Sequence, residues 1–339
     1  MKFLLKCIFV IVLCSFSASI VQSNFGKVDV SSMKLPTDSG QHLVFDLYKP
    51  NSATSKNKAP FIIVVPGFQR SKEALSNIAI ELSRRGMVVA LIDPYAQGLS
   101  SSSRSKRAAT TQGYGMFALV ELAHTGNFLN YIDTNKIAST GHSMGGNAAI
   151  RGANYFGKKA IKNNEPSMLH SIFVSGYVLT LLEDVLKDIR SNVGVSYALY
   201  DEGAFRNELK GWDASNMKIA PESIRVVNSG FNNSENVLQE VELGKYYGSL
   251  DSRSLRVIHN EDLIHPFQPY NNEATANQIE YFEKVFNIQS NIDSSNQIWQ
   301  FKELMTLISM ITAMVMLLPL SRVLLSLKPF SSLVKDIPK

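Results

Sequence analysis

Two uninterrupted apolar runs bracket a body in which apolar stretches keep changing period. The first run, Cys7 to Gln22, follows Met1-Lys2-Phe3-Leu4-Leu5-Lys6. A positive stretch ahead of an apolar one is the pattern of an export signal. Val21 and Ser23 are small enough for a signal-peptidase cut after Ser23, so a cleaved signal and an uncleaved anchor are both open. A lipoprotein site at Cys14 is disfavoured, because Leu13 stands where a small residue is needed. The second run, Leu304 to Leu320, carries no charge and continues past Ser321 and Arg322 into Val323-Leu324-Leu325. A membrane helix needs ~20 mostly apolar residues. This run reaches that length when Arg322 snorkels to the interface. It is apolar on every face, which argues against a half-buried helix of the body. Trp299 and Phe301 sit where an interfacial aromatic belt would begin. Lys2 and Lys6 precede the first run, and Arg322, Lys328, Lys335 and Lys339 follow most of the second. The positive-inside rule therefore predicts both ends in the cytoplasm and the body outside.

Between the runs, β-rich apolar stretches alternate with helical spacing. Gly26 to Met33 and Leu43 to Tyr48 read as early antiparallel strands. Phe61-Ile62-Ile63-Val64-Val65 is continuous and apolar, as expected of a strand buried on both faces. Ser71 to Arg85 has helical spacing and stops at Gly86, a C-terminal signal. Met87 to Ile92, Lys136 to Thr140, Ile172 to Ser175, Val193 to Tyr200 and Ser254 to Ile258 read as further strands. Gly113 to Tyr131, Ala148 to Lys159 and Ala274 to Phe286 read as helices. This alternation predicts an α/β fold with a mostly parallel central sheet and helices on both faces. The expected organisation is a signal or anchor over 1–23, a catalytic domain over 24–286, a linker over 287–301, a membrane helix over 302–327 and a tail over 328–339.

Composition removes several chemistries. The only cysteines, Cys7 and Cys14, lie in the first apolar run. The body therefore has no disulfide, no Cys-ligated zinc and no Cys nucleophile. Net charge is +5 and dispersed. Its densest stretch, Arg104, Lys106 and Arg107, lies among serines without interleaved aromatics and reads as a solvated loop, not a nucleic-acid surface.

The strongest local signal is Gly141-His142-Ser143-Met144-Gly145-Gly146, between a predicted strand and a predicted helix. A serine on so sharp a turn needs small neighbours, so that strand and helix can approach. The helix that follows points its N-terminus at the turn, which favours developing negative charge. A serine hydroxyl needs a base, and the base needs an orienting carboxylate. Among six histidines, His42, His124, His142 and His170 have structural readings. His259 and His265 follow the last strand, and His265 is favoured as the base. Asp201 follows the penultimate strand and is favoured as the acid, with Glu202 its rival and Glu183 and Asp184 a second option. Asp93 and Asp133 read as structural. The Met144 N–H is one expected oxyanion donor, and the Phe68 N–H, in Pro66-Gly67-Phe68-Gln69, is the other, ahead of Gln69.

These passages resemble the α/β-hydrolase superfamily from Phe61 to Phe286. Val65 to Phe68 is similar to its oxyanion turn, and Arg85 to Asp93 with Gly98 and Ser100 to the segment that follows. Gly141 to Gly146 is similar to its nucleophile elbow. His265-Pro266-Phe267 ahead of Ile279 to Phe282 is similar to its histidine loop and closing helix. The nearest likeness is to exported esterase- or lipase-like bacterial proteins with appended membrane spans. About fifty residues separate Asp201 from the last strand, room for a lid over the site or a sign that the acid lies elsewhere. The resemblance implies carboxyl-ester hydrolysis through an acyl-enzyme, on hydrophobic or lipid-like substrates if a bilayer adjoins the site. No metal, cofactor or nucleic-acid partner is implied. A peptidase with the same triad and an inactive binding module are the competing readings.

Overall fold

In the computed structural model all residues are described except 38–39, 126–128, 202–207, 210–215, 232–236 and 334–339. The chain forms two compact units, one of Lys27–Gln297 and one of Met1–Gly26 with Ile298–Lys339.

The larger unit is built on eight strands: β1 (Val28–Thr37), β2 (Gln41–Pro50), β3 (Ala59–Val65), β4 (Val88–Ile92), β5 (Ile132–His142), β6 (Ser171–Ser175), β7 (Asn192–Ala198) and β8 (Arg256–Glu261). They pair in the order β1-β2-β4-β3-β5-β6-β7-β8. The first two pairings, β1 with β2 and β2 with β4, are antiparallel, and the remaining ones are parallel. The helices are α1 (Lys2–Gln22), α2 (Ser76–Arg84), α3 (Ala108–Thr111), α4 (Met116–Thr125), α5 (Met144–Asn163), α6 (Glu183–Leu186), α7 (Pro221–Asn228), α8 (Asn272–Phe286), α9 (Trp299–Leu325) and α10 (Lys328–Ser331).

Burial follows the pattern of the sequence. Every residue of β3 and β4 is buried, as a parallel sheet covered on both faces requires. The outer strand β1 instead alternates toward solvent. The expected helix at 71–85 opens as a 3₁₀ turn, Lys72–Leu75, before α2. Gly86 follows its C-cap at φ +87°, a conformation glycine enters without a Cβ clash. The expected helix at 113–131 is broken at its start. Gly113, Tyr114 and Gly115 all have positive φ, so α4 begins only at Met116. The expected strand at 136–140 is longer, because β5 runs on to His142.

The long connection between β7 and β8 feeds the core where it is described. α7 packs on β8, and Met217, Val226, Val227 and Val241 join the hydrophobic core. Residues 293–297, expected to be linker, are strapped to α2 and α8. Arg85 Nη2 donates to the carbonyls of Asp293 (2.7 Å) and Asn296 (3.1 Å), and Gln297 Nε2 donates to the carbonyl of Asn272 (2.8 Å). Glu81 anchors this strap. It is fully buried and receives Arg84 at 2.6 Å and Arg85 at 2.9 Å.

The smaller unit pairs α1 with α9. Cys14, Ala18 and Gln22 share a crevice with Lys302, Thr306 and Ser309, so the end of α1 lies beside the start of α9. Leu4, Cys7, Cys14 and Val21 form the buried face of α1. In α9 only Trp299 is buried, and both helices are long and apolar enough to cross a membrane. At 1.5 Å per residue, α9 spans about 40 Å against a hydrocarbon core of about 30 Å.

Two outcomes follow for the larger unit. Replacing Glu81 by Ala leaves the buried Arg85 guanidinium with only the longer, 3.6 Å pairing to Glu283 and lowers stability by about 3 kcal/mol in urea unfolding. Burial also holds His170 and His259 at a pKa of about 4, against an ordinary 6.5. Between those values the unfolded chain binds protons that the folded chain does not. Their contribution is therefore intact above pH 6.5 and is lost as pH falls toward 4. Urea midpoints across that window will fall with acidification, and less steeply in His259→Gln.

Candidate active site

The turn at Ser143 depends on backbone contact. A Cβ on Gly145 would lie 1.9 Å from the Val65 carbonyl oxygen, and one on Gly141 would lie 2.5 Å from the Gly145 backbone. Only glycine lets the end of β3, the end of β5 and the start of α5 meet so closely. Ser143 pays for the turn with φ 60° and ψ −125°, a conformation strained for any residue with a side chain. Its N–H donates to the Ser175 carbonyl at 2.8 Å, which ties the turn to the end of β6. The helix begins at Met144, earlier than the predicted Ala148, so the N-terminus of α5 sits directly at the serine.

Asp201 and His265 reach one another because the ends of β7 and β8 stay zipped beyond the sheet. Leu199 N–H donates to the Glu261 carbonyl (2.8 Å), and Tyr200 N–H donates to the Leu263 carbonyl (3.0 Å). The Asp201 carboxylate, 1% exposed, accepts a hydrogen bond from His265 Nδ1 at 2.7 Å. His265 opens a 3₁₀ turn, His265–Tyr270, and its ring centroid lies 4.5 Å from that of His142, the residue before Ser143. Among the described residues His259 has no such partner. Its ring faces Phe173, and its buried Nε2 has no hydrogen-bond partner among the described residues. Glu202 lies outside the described residues. Glu183 and Asp184 open α6, where Asp184 pairs with Lys187. Asp93 is spent on structure, accepting the N–H groups of Lys72 and Leu99. Asp133 accepts the N–H of Asn135 at the start of β5.

Phe68 and Met144 both line an open cavity of about 970 Å³, with Tyr95 and Tyr177 also in its wall. Neither N–H donates to another backbone group among the described residues. Gly67 makes this approach possible, since a Cβ there would lie 3.1 Å from Ser143 Cβ. Gln69 is held at φ 58° beside them.

Two features had no signal in residue spacing. His142 is buried against His265, and its pKa is well below the ordinary range through burial, the neighbouring His265 and Arg70. It is therefore neutral. Beneath the histidine turn, the Glu261 carboxylate gathers Ser196 (2.8 Å), Gln268 (3.0 Å) and Asn277 (2.9 Å). Gln268 belongs to the same turn as His265, so this network fixes the segment that carries the imidazole. Burial pushes the Glu261 carboxyl up, while its three donors oppose that shift. Among the described residues no cluster of three or more His, Cys, Asp or Glu could hold a metal ion.

The arrangement has relatives among solved structures. An esterase of Pyrococcus furiosus is similar at 13% identity and a TM-score of 0.51, covering 76% of this chain and 92% of that one. A hyperthermophilic esterase of Pyrobaculum calidifontis is similar at 13% identity and a TM-score of 0.50, covering 85% and 92%. The dipeptidyl peptidase 4 of Porphyromonas gingivalis is similar at 12% identity and a TM-score of 0.51, covering 78% of this chain but 36% of that one. At such identities the likeness is one of fold, and the fold is that of the α/β-hydrolases. No curated protein sequence matches the chain. The sequence pattern of the PET hydrolase-like family (PETase) matches residues 15–216, more than half of the chain, and the chain belongs to that family.

Proposed function

We propose that this protein is a serine hydrolase that cleaves carboxyl esters through an acyl-enzyme on Ser143. The observation that carries the reading is the 2.7 Å bond from His265 to the buried Asp201, with the His265 ring against His142, the residue before a strained serine at the N-terminus of α5. Ser143 Oγ attacks the ester carbonyl, and His265 Nε2 takes its proton. The oxyanion is held by the N–H groups of Phe68 and Met144, with the helix N-terminus behind them. His265 then protonates the departing alkoxide, and the acyl group stays on Ser143. A water molecule, deprotonated by the same imidazole, releases the acid and restores the hydroxyl. Asp201 keeps the Nδ1 proton in place, so that Nε2 faces the serine as acceptor. Membership of a hydrolase family supports the reaction class.

The terminal helices support a membrane tether. α9 exposes large apolar side chains along its length, including Leu307, Met310, Met314 and Leu318. Such a surface is costly in water and suited to lipid. With Lys2, Lys6, Arg322 and Lys328 on the cytoplasmic side, the segment between the helices lies outside.

A fluorophosphonate probe will label the full chain, and Ser143→Ala will abolish the label. Asp201→Asn will lower kcat on p-nitrophenyl butyrate by about 10³–10⁴-fold. Undiminished labelling of Ser143→Ala would remove the proposed nucleophile. Turnover of a matched p-nitroanilide at the ester's rate would make the enzyme a peptidase. For the tether, alkaline carbonate should leave the chain with the membrane fraction, and a soluble chain would refute it.

A further inference from the structure

Among the described residues, the wall of the cavity beside Phe68 and Met144 is one-signed: it contains Arg70, Arg104, Lys106 and Arg107, and neither Asp nor Glu. These are the basic residues that the sequence alone suggests belong to a solvated loop, joined here by Arg70 from the turn that carries the oxyanion donor. Among the described residues, Arg70, Lys106 and Arg107 form no ion pair with a carboxylate. Among the described residues, the Arg70 side chain makes one hydrogen bond, to the neutral Tyr270 hydroxyl at 3.3 Å. Two carboxylates on neighbouring loop segments are committed elsewhere: Glu73 to Ser71 and Lys72, and Asp93 to Lys72 and Leu99. Burial pushes the phenols of Tyr114 and Tyr177 up, so the aromatic wall contributes no opposing charge. The positive field of Arg70 also reaches the elbow, where it acts on His142.

A cleft lined by one sign of charge concentrates ligands of the opposite sign. We infer that the preferred substrate is an ester carrying a second, anionic group, a carboxylate or a phosphate, that occupies this cavity while the scissile carbonyl meets Ser143. The inference rests on the ester-hydrolase reading and narrows its substrate class. Hydroxyls between the cations, from Ser102, Ser105 and Thr110, can complete the coordination of anionic oxygens. The aromatic rings of Tyr95, Tyr114 and Tyr177 favour a compact or flat body between the two polar ends.

The test compares mono-p-nitrophenyl adipate with p-nitrophenyl hexanoate, matched in acyl length, on the full chain in detergent. The anionic ester should be favoured about tenfold in kcat/KM, and the preference should shrink as salt rises. In the triple variant Arg104→Gln/Lys106→Gln/Arg107→Gln, and separately in Arg70→Gln, that ratio should fall toward one. In Arg104→Glu/Lys106→Glu/Arg107→Glu it should invert. Thermal melting establishes that each variant is folded. A phosphate-bearing ester of similar length distinguishes the two anions. Both esters are also titrated calorimetrically into Ser143→Ala. If wild type hydrolyses neither ester, but Ser143→Ala binds the anionic one more tightly and the charge variants lose that margin, the reaction assignment fails and the anion site stands. Equal kcat/KM for the two esters, or a preference unchanged in every charge variant, overturns the anion site and leaves the hydrolase reading intact. So does a triple variant that loses binding to phosphatidylserine vesicles while keeping its ester preference, because the cations then serve a lipid surface.

Discussion

The site depends on one steric constraint: the carbonyl of Val65 occupies the space where residue 145 would carry a Cβ. That contact lets β3, β5 and α5 converge within the width of a backbone. It forces Ser143 into a positive-φ turn and aims the start of α5 at its hydroxyl. It also brings the Gly67–Phe68 turn against the serine, so that both candidate oxyanion donors border one cavity. Cores tolerate shape changes in side chains far better than they tolerate overlap with main chain, which cannot rotate away. The chemistry is thus set by where side chains are missing as much as by where they are present.

A second constraint holds the proposed base. The imidazole of His265 is fixed from three directions: Asp201 at Nδ1, the His142 ring at one face, and the Glu261–Ser196–Gln268–Asn277 network under its turn. Each support comes from a different strand end or helix. The zipped ends of β7 and β8 convert a separation of 64 residues into direct contact. A site assembled from strand ends on a rigid sheet needs little rearrangement to act, which is the advantage of building it there.

Much of this was legible in the residues. Continuous apolar runs marked β3 and β4, because strands buried on both faces leave no polar alternation to confuse the period. Glycines at 141 and 145 marked the turn, since few other contexts need such spacing. Their places after successive strands favoured His265 and Asp201 over His259 and Glu202, and the two favoured side chains meet. What spacing could not reveal was contact between distant segments. Nothing local in Arg104, Lys106 and Arg107 says that they face a cavity shared with Phe68. Nothing in Asn287 to Gln297 says that Arg85 will bind its carbonyls. The helix predicted at 113–131 failed at its first turn because tertiary packing of Leu43 and Tyr95 against Gly115 outweighed helical periodicity there.

The distribution of sulfur has a practical consequence. Cys7 and Cys14 both lie on the buried face of α1, too far apart along one helix to bond to each other. The unit Lys27–Gln297 presents no thiol to an oxidant, so its folding is independent of redox poise. A cysteine placed on any of its exposed loops would be the only accessible thiol there. Spectroscopic reporters could then be attached at the rim of the cavity without first removing a native cysteine from that unit.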